Sequence, residues 1–288
     1  MSPEVRVYVR DRQDREDLQG LGAKVAVGPL DDIDTLVMVM DGAHTLCHVP
    51  RLVTESGVPA GDITWIEPES ERQTIGSVRP VLEAAARARI RRILLVSYPG
   101  ASSAASNPYL RGLGAAEDAV AASGIDHVIV RCTHVYGPGS EWIHALASRG
   151  GVTEGRRWGG RAALWPGSGQ QLVAPVDESD VAAMLAAADD REGVRSGTFG
   201  LEGPDRVTAD QLAALAASIR PGRRVGVPSG RLIRRDPVDA FEQIFASDSV
   251  ADRPDAAAEF GVVRTPLAEG LARSLAGIAS ERRRTRPE

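Results

Sequence analysis

Two short loops carry the residue types best suited to chemistry. One reads Ser97-Tyr98-Pro99-Gly100, the other Thr133-His134-Val135-Tyr136-Gly137-Pro138-Gly139. Each follows a short, branched apolar run, Ile93 to Val96 and Val128 to Val130. A serine hydroxyl at such a place can orient a substrate carbonyl, or it can close a turn. A neutral imidazole at His134 can serve as a general base near pH 7, or it can be a satisfied structural histidine. Tyr98 and Tyr136 bring hydroxyls to the same two loops. Glu141, Trp142 and His144 come next and either face a substrate or pack. Trp158 and Trp165 fall in a Gly- and Arg-rich stretch, residues 150–169, and either line an apolar pocket or anchor a loop. Metal chelation by His44 and His48 is excluded, because residues four apart on a strand lie ~13 Å apart. No Ser-His-Asp order with a nucleophile elbow is present.

The elements that must position these loops follow from the apolar pattern. Between the two runs lies a helix-like segment, Pro108 to Ser123, closed by Gly124. Strand, helix and strand within about 40 residues make a βαβ unit, and such units give a parallel sheet covered on both faces. Ligands of such sheets sit beyond the carboxyl ends of the strands. Upstream, strands are expected over Val5 to Val9, Lys24 to Val27 and His44 to Val49. Helices are expected over Asp14 to Leu21, Ile33 to Met40 and Ser77 to Ala88. Downstream come a strand from Leu172 to Val176, a helix capped by Asp177-Glu178-Ser179-Asp180, and a last sheet strand, Thr198 to Leu201. A helix over 209–219 is N-capped by Thr208. The alternation predicts an α/β, doubly wound parallel sheet. The expected divisions are an α/β domain over 1–165 and a segment returning to the sheet over 166–203. A small, mainly helical domain over 204–280 and a charged tail over 281–288 complete the chain.

Composition narrows the function. The 288 residues carry a formal net charge of −5 and only 4% aromatics. A nucleic-acid partner is therefore not expected. No run approaches the roughly 18 apolar residues of a membrane span. Charges stand where a signal peptide needs an apolar core, so a cytoplasmic location is expected. Cys47 and Cys132 sit inside apolar runs and are expected to be small buried hydrophobes. Lys24 is the chain's one lysine among many arginines.

The runs ending VSYPGA, YLRGLGAAE and RCTHVYGPG, taken together, resemble the short-chain dehydrogenase/reductase superfamily in its extended and atypical branches, NmrA-like and epimerase-like. The resemblance extends from about Val5 to about Ala276, and implies that 1–165 is a Rossmann-like domain and 204–280 the small substrate-side domain. It implies that Tyr109 stands at the active cleft, in the place of the family's catalytic tyrosine. The family's lysine, four residues on, is Leu113 here. Without an ammonium beside it, Tyr109 should keep its ordinary pKa and act as an acid or donor rather than a base. Val5 to Arg12 resembles the family's second strand, and the first strand with its Gly-rich phosphate turn has no counterpart downstream of Met1. Where the family has Gly-Asp-Leu, this chain has Gly28-Pro29-Leu30. Arg10 and Arg12 stand where a 2′-phosphate of NADP would be met.

These departures favour a dehydrogenase-like scaffold that needs no cofactor. It would run acid–base chemistry, such as cyclisation, isomerisation or dehydration, on a small, partly apolar metabolite of secondary metabolism. Tyr109, Ser97, His134 and Tyr136 would be catalytic, and Tyr98, Glu141, Trp142 and Trp165 would bind substrate. Two alternatives stay open. One is an NAD(P)-dependent reductase or epimerase of that superfamily with its N-terminus missing, with NADP as cofactor. The other is a non-catalytic NmrA-like regulator or partner subunit, possible as a homodimer because strand edges need covering.

Overall fold

A computed structural model describes residues 4–9, 15–50, 78–138, 140, 142, 164–191, 193, 196–219, 233–235 and 240–284. The N-terminal half alternates strand and helix: β1 (Arg6–Val9), α1 (Arg15–Gly20), β2 (Lys24–Val27), α2 (Ile33–Met40), β3 (Thr45–His48), a helix α3 over 78–87, β4 (Arg92–Ser97), α4 (Pro108–Ala122) and β5 (Asp126–Cys132). Four strands form one parallel sheet in the order β10-β5-β4-β3, where β10 is Gly197–Leu201. A second parallel pair, β1-β2, stands apart from it. Among the described residues β1 pairs only with β2 and β3 only with β4, so no ladder joins the two sheets.

Burial follows this arrangement. Ile93, Leu94, Leu95, Val128, Ile129 and Val130 are at most 2% exposed, as the central strands of a sheet covered on both faces must be. On one face Ile93, Leu95 and Ile129 meet Leu36 and Met40 of α2, Ala84 and Ala85 of α3, and Ala116 and Val120 of α4. On the other, Leu94, Val128 and Val130 meet Val181 and Met184 of α5 (Glu178–Asp190) and Phe260 of α8 (Ala256–Phe260).

Helix starts are fixed by side chains, as the sequence signals require. Asp32 accepts from Thr35 N, Asn107 from Tyr109 N and Leu110 N, Asp177 from Ser179 N and Asp255 from Ala257 N. Thr208 Oγ1 accepts from Gln211 N at 3.2 Å while Gln211 Oε1 accepts from Thr208 N at 2.9 Å, a reciprocal box opening α6 (Ala209–Ile219). At the middle of α4, Gly114 lets the helix lie directly on the turn before it; a Cβ there would be 2.1 Å from the Ser102 carbonyl carbon.

Two expectations need correcting. The strand expected over Leu172 to Val176 is two: β8 (Leu172–Val173) runs antiparallel to β11 (Val207–Thr208), and β9 (Val176–Asp177) runs parallel to β6 (Val135–Tyr136). Pro175 between them has no N–H to carry a ladder through. Cys132 is buried as expected, but Cys47 is exposed, on a strand that among the described residues has a partner along one edge. No described helix is long and apolar enough to cross a membrane.

Candidate active site

The carboxyl ends of β4 and β5 place the two loops side by side, since Ser97 registers with Arg131 across the ladder. Beyond them the chain closes a third core. Tyr98, Leu113, Tyr136 and Trp142 pack with Phe245 of α7 (Ala240–Phe245), Leu212 of α6, and Leu267 and Leu271 of α9 (Leu267–Arg284); Tyr109 lies against the same group, partly buried. This core joins the sheet to the C-terminal helices. It gathers five of the side chains singled out from the sequence: Tyr98, Tyr109, His134, Tyr136 and Trp142.

His134 is the centre of the group. Its ring stacks flat on Phe245, centroids 4.2 Å apart and planes 3° apart, with Trp142 at 6.1 Å and Tyr98 at 5.7 Å. The Tyr98 hydroxyl lies 3.1 Å from His134 Nδ1 and donates to Ser249 Oγ at 2.7 Å. Burial pushes the His134 pKa down to about 3, so the ring is neutral and a poor base at pH 7. Of the two readings open to His134, this lowered pKa speaks against the general base.

Tyr109 begins the first turn of α4, its N–H held by the Asn107 cap at 2.9 Å. Burial raises its pKa to about 12, above the ordinary value expected from the sequence. Leu113, one turn on, is 3% exposed and apolar. Tyr109 therefore keeps its proton at neutral pH. Burial likewise raises the pKa of Tyr98 and Tyr136 well above the ordinary range.

Among the described residues, buried polar atoms without a partner include His134 Nε2, the Tyr136 hydroxyl and His48 Nε2. An unpaired buried polar atom costs about 1–3 kcal/mol, which a ligand can offset. His134 and Tyr136 follow β5, and His48 ends β3. All three thus stand at the carboxyl side of parallel strands, where a ligand of such a sheet lies. Burial lowers the His48 pKa to about 4, so it too is neutral.

Ser97 lies outside the group. Its hydroxyl donates to Glu117 Oε1 at 2.5 Å. Glu117 also receives two N–H bonds from Arg131, at 2.9 and 2.7 Å, and Arg131 reaches Asp252 at 2.7 Å and the Ala101 carbonyl at 2.6 Å. This buried cluster ties the ends of β4 and β5 to the middle of α4. Arg10, Arg12, Glu141 and Trp158 lie outside the described residues, as does the side chain of Trp165. The described N-termini of α2, α4, α5 and α8 are occupied by their own caps, and Gly28 is closed over by the Tyr8 hydroxyl, 2.3 Å from where a Cβ would stand. Among the described residues, no strand, Gly-rich turn and helix in sequence form a phosphate cradle. Sequence reasoning missed His48 as a site residue, Ser249, Phe245 and the Glu117–Arg131–Asp252 cluster. Only the His48 side chain carried a visible signal, a polar residue closing an apolar strand.

A family model described as NAD(P)H-binding matches residues 2–188. No curated protein matches. Solved structures match along nearly the whole chain. MoeE5 in complex with UDP-glucose and NAD is 19% identical, with a TM-score of 0.68 over 97% of this chain and 99% of its own. The UDP-glucose 4-epimerase of Thermotoga maritima, with UDP-glucose, is 15% identical, with a TM-score of 0.70 over 97% and 92%. The Bordetella bronchiseptica enzyme WbmG, in complex with NAD and UDP, is 17% identical, with a TM-score of 0.69 over 96% and 87%. At these identities the structures establish a shared fold. The match over residues 2–188 overturns the expectation of a site that works without a cofactor.

Proposed function

The chain belongs to the NAD(P)H-binding family, within the short-chain dehydrogenase/reductase type of fold, and from that premise we propose that it is an NAD(P)-dependent reductase or epimerase of a small hydroxylated molecule. The observation that carries the reading is the set of unpaired buried polar atoms at the strand ends, His48 Nε2 and His134 Nε2, both inside the matched span. They fit a polar ligand laid across the carboxyl ends of β3 and β5. His48 would meet the dinucleotide and Tyr109 the reacting oxygen. When bound, the nicotinamide supplies hydride transfer to or from carbon.

The chain's own groups then have defined parts. Tyr109, protonated at neutral pH, donates to an oxygen that gains negative charge, which suits the reducing direction. His134, neutral, holds a polar group of the substrate at Nε2. Trp142 and Phe245 wall the site and exclude water. Among the solved structures of the same fold, those above hold UDP-sugars or UDP, and a nucleotide sugar is the substrate class the reading favours.

The test is calorimetric titration of the full chain with NADH and NADPH, followed by reduced-cofactor absorbance in the presence of UDP-glucose. Micromolar binding of one dinucleotide supports the reading; no binding of either ends it. A second reading, a partner subunit, draws on β1 and β3 each pairing along one edge among the described residues. Sedimentation showing a dimer, with no dinucleotide bound, would favour it instead.

A further inference from the structure

The turn that carries Tyr98 is gripped by groups whose donors and acceptors are fixed by their chemistry. The Ala101 N–H closes the turn on the Tyr98 carbonyl at 3.1 Å, and Gly100 lies within it at a φ of 80°. The Gly100 N–H donates to Asp252 Oδ2 at 2.9 Å. Arg131, near the end of β5, donates to the same Oδ2 at 2.7 Å through Nη1 and to the Ala101 carbonyl at 2.6 Å through Nη2. One carboxylate oxygen thus joins the loop after β4 to the strand that leads into His134.

Asp252 is itself held still. It lies in the segment between α7 and α8, and backbone bonds pin that segment on both sides of it. The Ser249 N–H donates to the Leu172 carbonyl at 2.8 Å, and the Ala174 N–H to the Ser249 carbonyl at 2.9 Å. The Ala251 N–H donates to Glu202 Oε2 at 2.8 Å, and the Gly200 N–H to the Pro254 carbonyl at 2.8 Å. The Asp252 side chain is 31% exposed, and removing it leaves Arg131 paired with Glu117. No buried charge is stranded, so what its loss changes is geometry more than stability.

We propose that Asp252 is a positioning residue for the candidate site, its Oδ2 setting the Tyr98 turn against the His134 loop. The Tyr98 hydroxyl lies 3.1 Å from His134 Nδ1, so a shift of the turn moves that contact directly. A misplacement of about 1 Å in a positioning group can cost on the order of 10²-fold in turnover. The proposal rests on the reading above for the identity of the substrate, while the clamp on the turn is a property of the protein alone.

Two variants separate the roles. Asp252→Ala removes Oδ2, whereas Asp252→Asn keeps an oxygen able to accept both bonds. Hydrogen–deuterium exchange of the full chain, read by mass spectrometry over the peptide spanning the turn, tests the clamp. Exchange there should quicken about tenfold in Asp252→Ala and stay near the parent rate in Asp252→Asn. Calorimetry with UDP-glucose in the presence of NADPH tests the positioning. The UDP-glucose Kd should rise about tenfold in Asp252→Ala and return to within about twofold of the parent in Asp252→Asn, with the NADPH Kd unmoved in both. A merely structural aspartate would not split the two ligands in this way. If Asp252→Ala fails to fold, Asp252→Ser, which draws the oxygen back from the turn, takes its place. Unchanged exchange in the turn, a loosened turn beside an unmoved UDP-glucose Kd, or an asparagine variant as impaired as the alanine one overturns the proposal. If neither compound binds the unaltered protein, the proposed function fails, and the exchange result alone upholds or overturns the clamp.

Discussion

Replacing Arg131 by Met should be among the most damaging single changes in the sheet. The guanidinium is 4% exposed and makes four charge-assisted bonds, two to Glu117, one to Asp252 and one to the Ala101 carbonyl. Methionine fills most of the space but leaves the Glu117 carboxylate, 8% exposed, with only the Ser97 hydroxyl. Asp252 is the lesser concern, because its side chain is 31% exposed and can be hydrated. Stranding one buried charge costs on the order of 3–5 kcal/mol. For a chain of this size that corresponds to roughly 6–20 °C in Tm. Urea unfolding followed by far-ultraviolet circular dichroism measures it. The double variant Arg131→Met with Glu117→Leu removes both charges and should recover at least half of the loss, because the pair's strength lies in its mutual compensation. A single variant within about 1 kcal/mol of the parent, or a double variant no better than the single, refutes the reasoning.

Further outcomes follow from the same geometry. Tyr109→Phe should lower turnover roughly 10²- to 10⁴-fold, the usual worth of a positioned acid, and leave the NADPH Kd within about twofold, as stopped-flow and calorimetry would show. His48 and His134 have folded pKa values lowered by burial to about 4 and about 3, against an ordinary 6.5. Their stabilising effect is complete above pH 6.5 and declines as pH falls toward the folded values. Each should account for about 2 kcal/mol lost at pH 5, and His134→Gln should flatten the dependence of the urea midpoint on pH. Gly114→Ala should cost about 1–3 kcal/mol or more in thermal unfolding, since its methyl meets the Ser102 and Ser103 backbone at 2.1–2.4 Å, which a flexible side chain could have avoided but a turn cannot.

Much of this was legible in the sequence because it rests on local rules. Runs such as Ile93 to Val96 read as strands, and Thr208 marked a helix start, since those signals lie within a few residues of one another. The gathering of Tyr98, Tyr109, His134, Tyr136 and Trp142 followed from the position of loops at strand ends. What stayed hidden came from far along the chain. Ser249 and Phe245 approach His134 from more than a hundred residues away, with no periodic signal in their own segment. Arg131 on its strand and Glu117 on its helix, 14 residues apart, are brought together and buried only by the fold. The sequence reading also gave too much weight to Pro29 and Leu113. Single positions say little against the pattern of a whole domain, which matches the NAD(P)H-binding family from residue 2 to 188.

The pairing of β5 with β10 bears on how the chain emerges during synthesis. Val128 to Cys132 accept Gly197 to Leu201 as their neighbour, about 70 residues later. At ~5–20 residues per second the ribosome takes ~4–14 s to deliver that neighbour. For that interval the apolar segment Val128-Ile129-Val130 has its outer flank bare, and the nascent polypeptide should be most dependent on chaperones there.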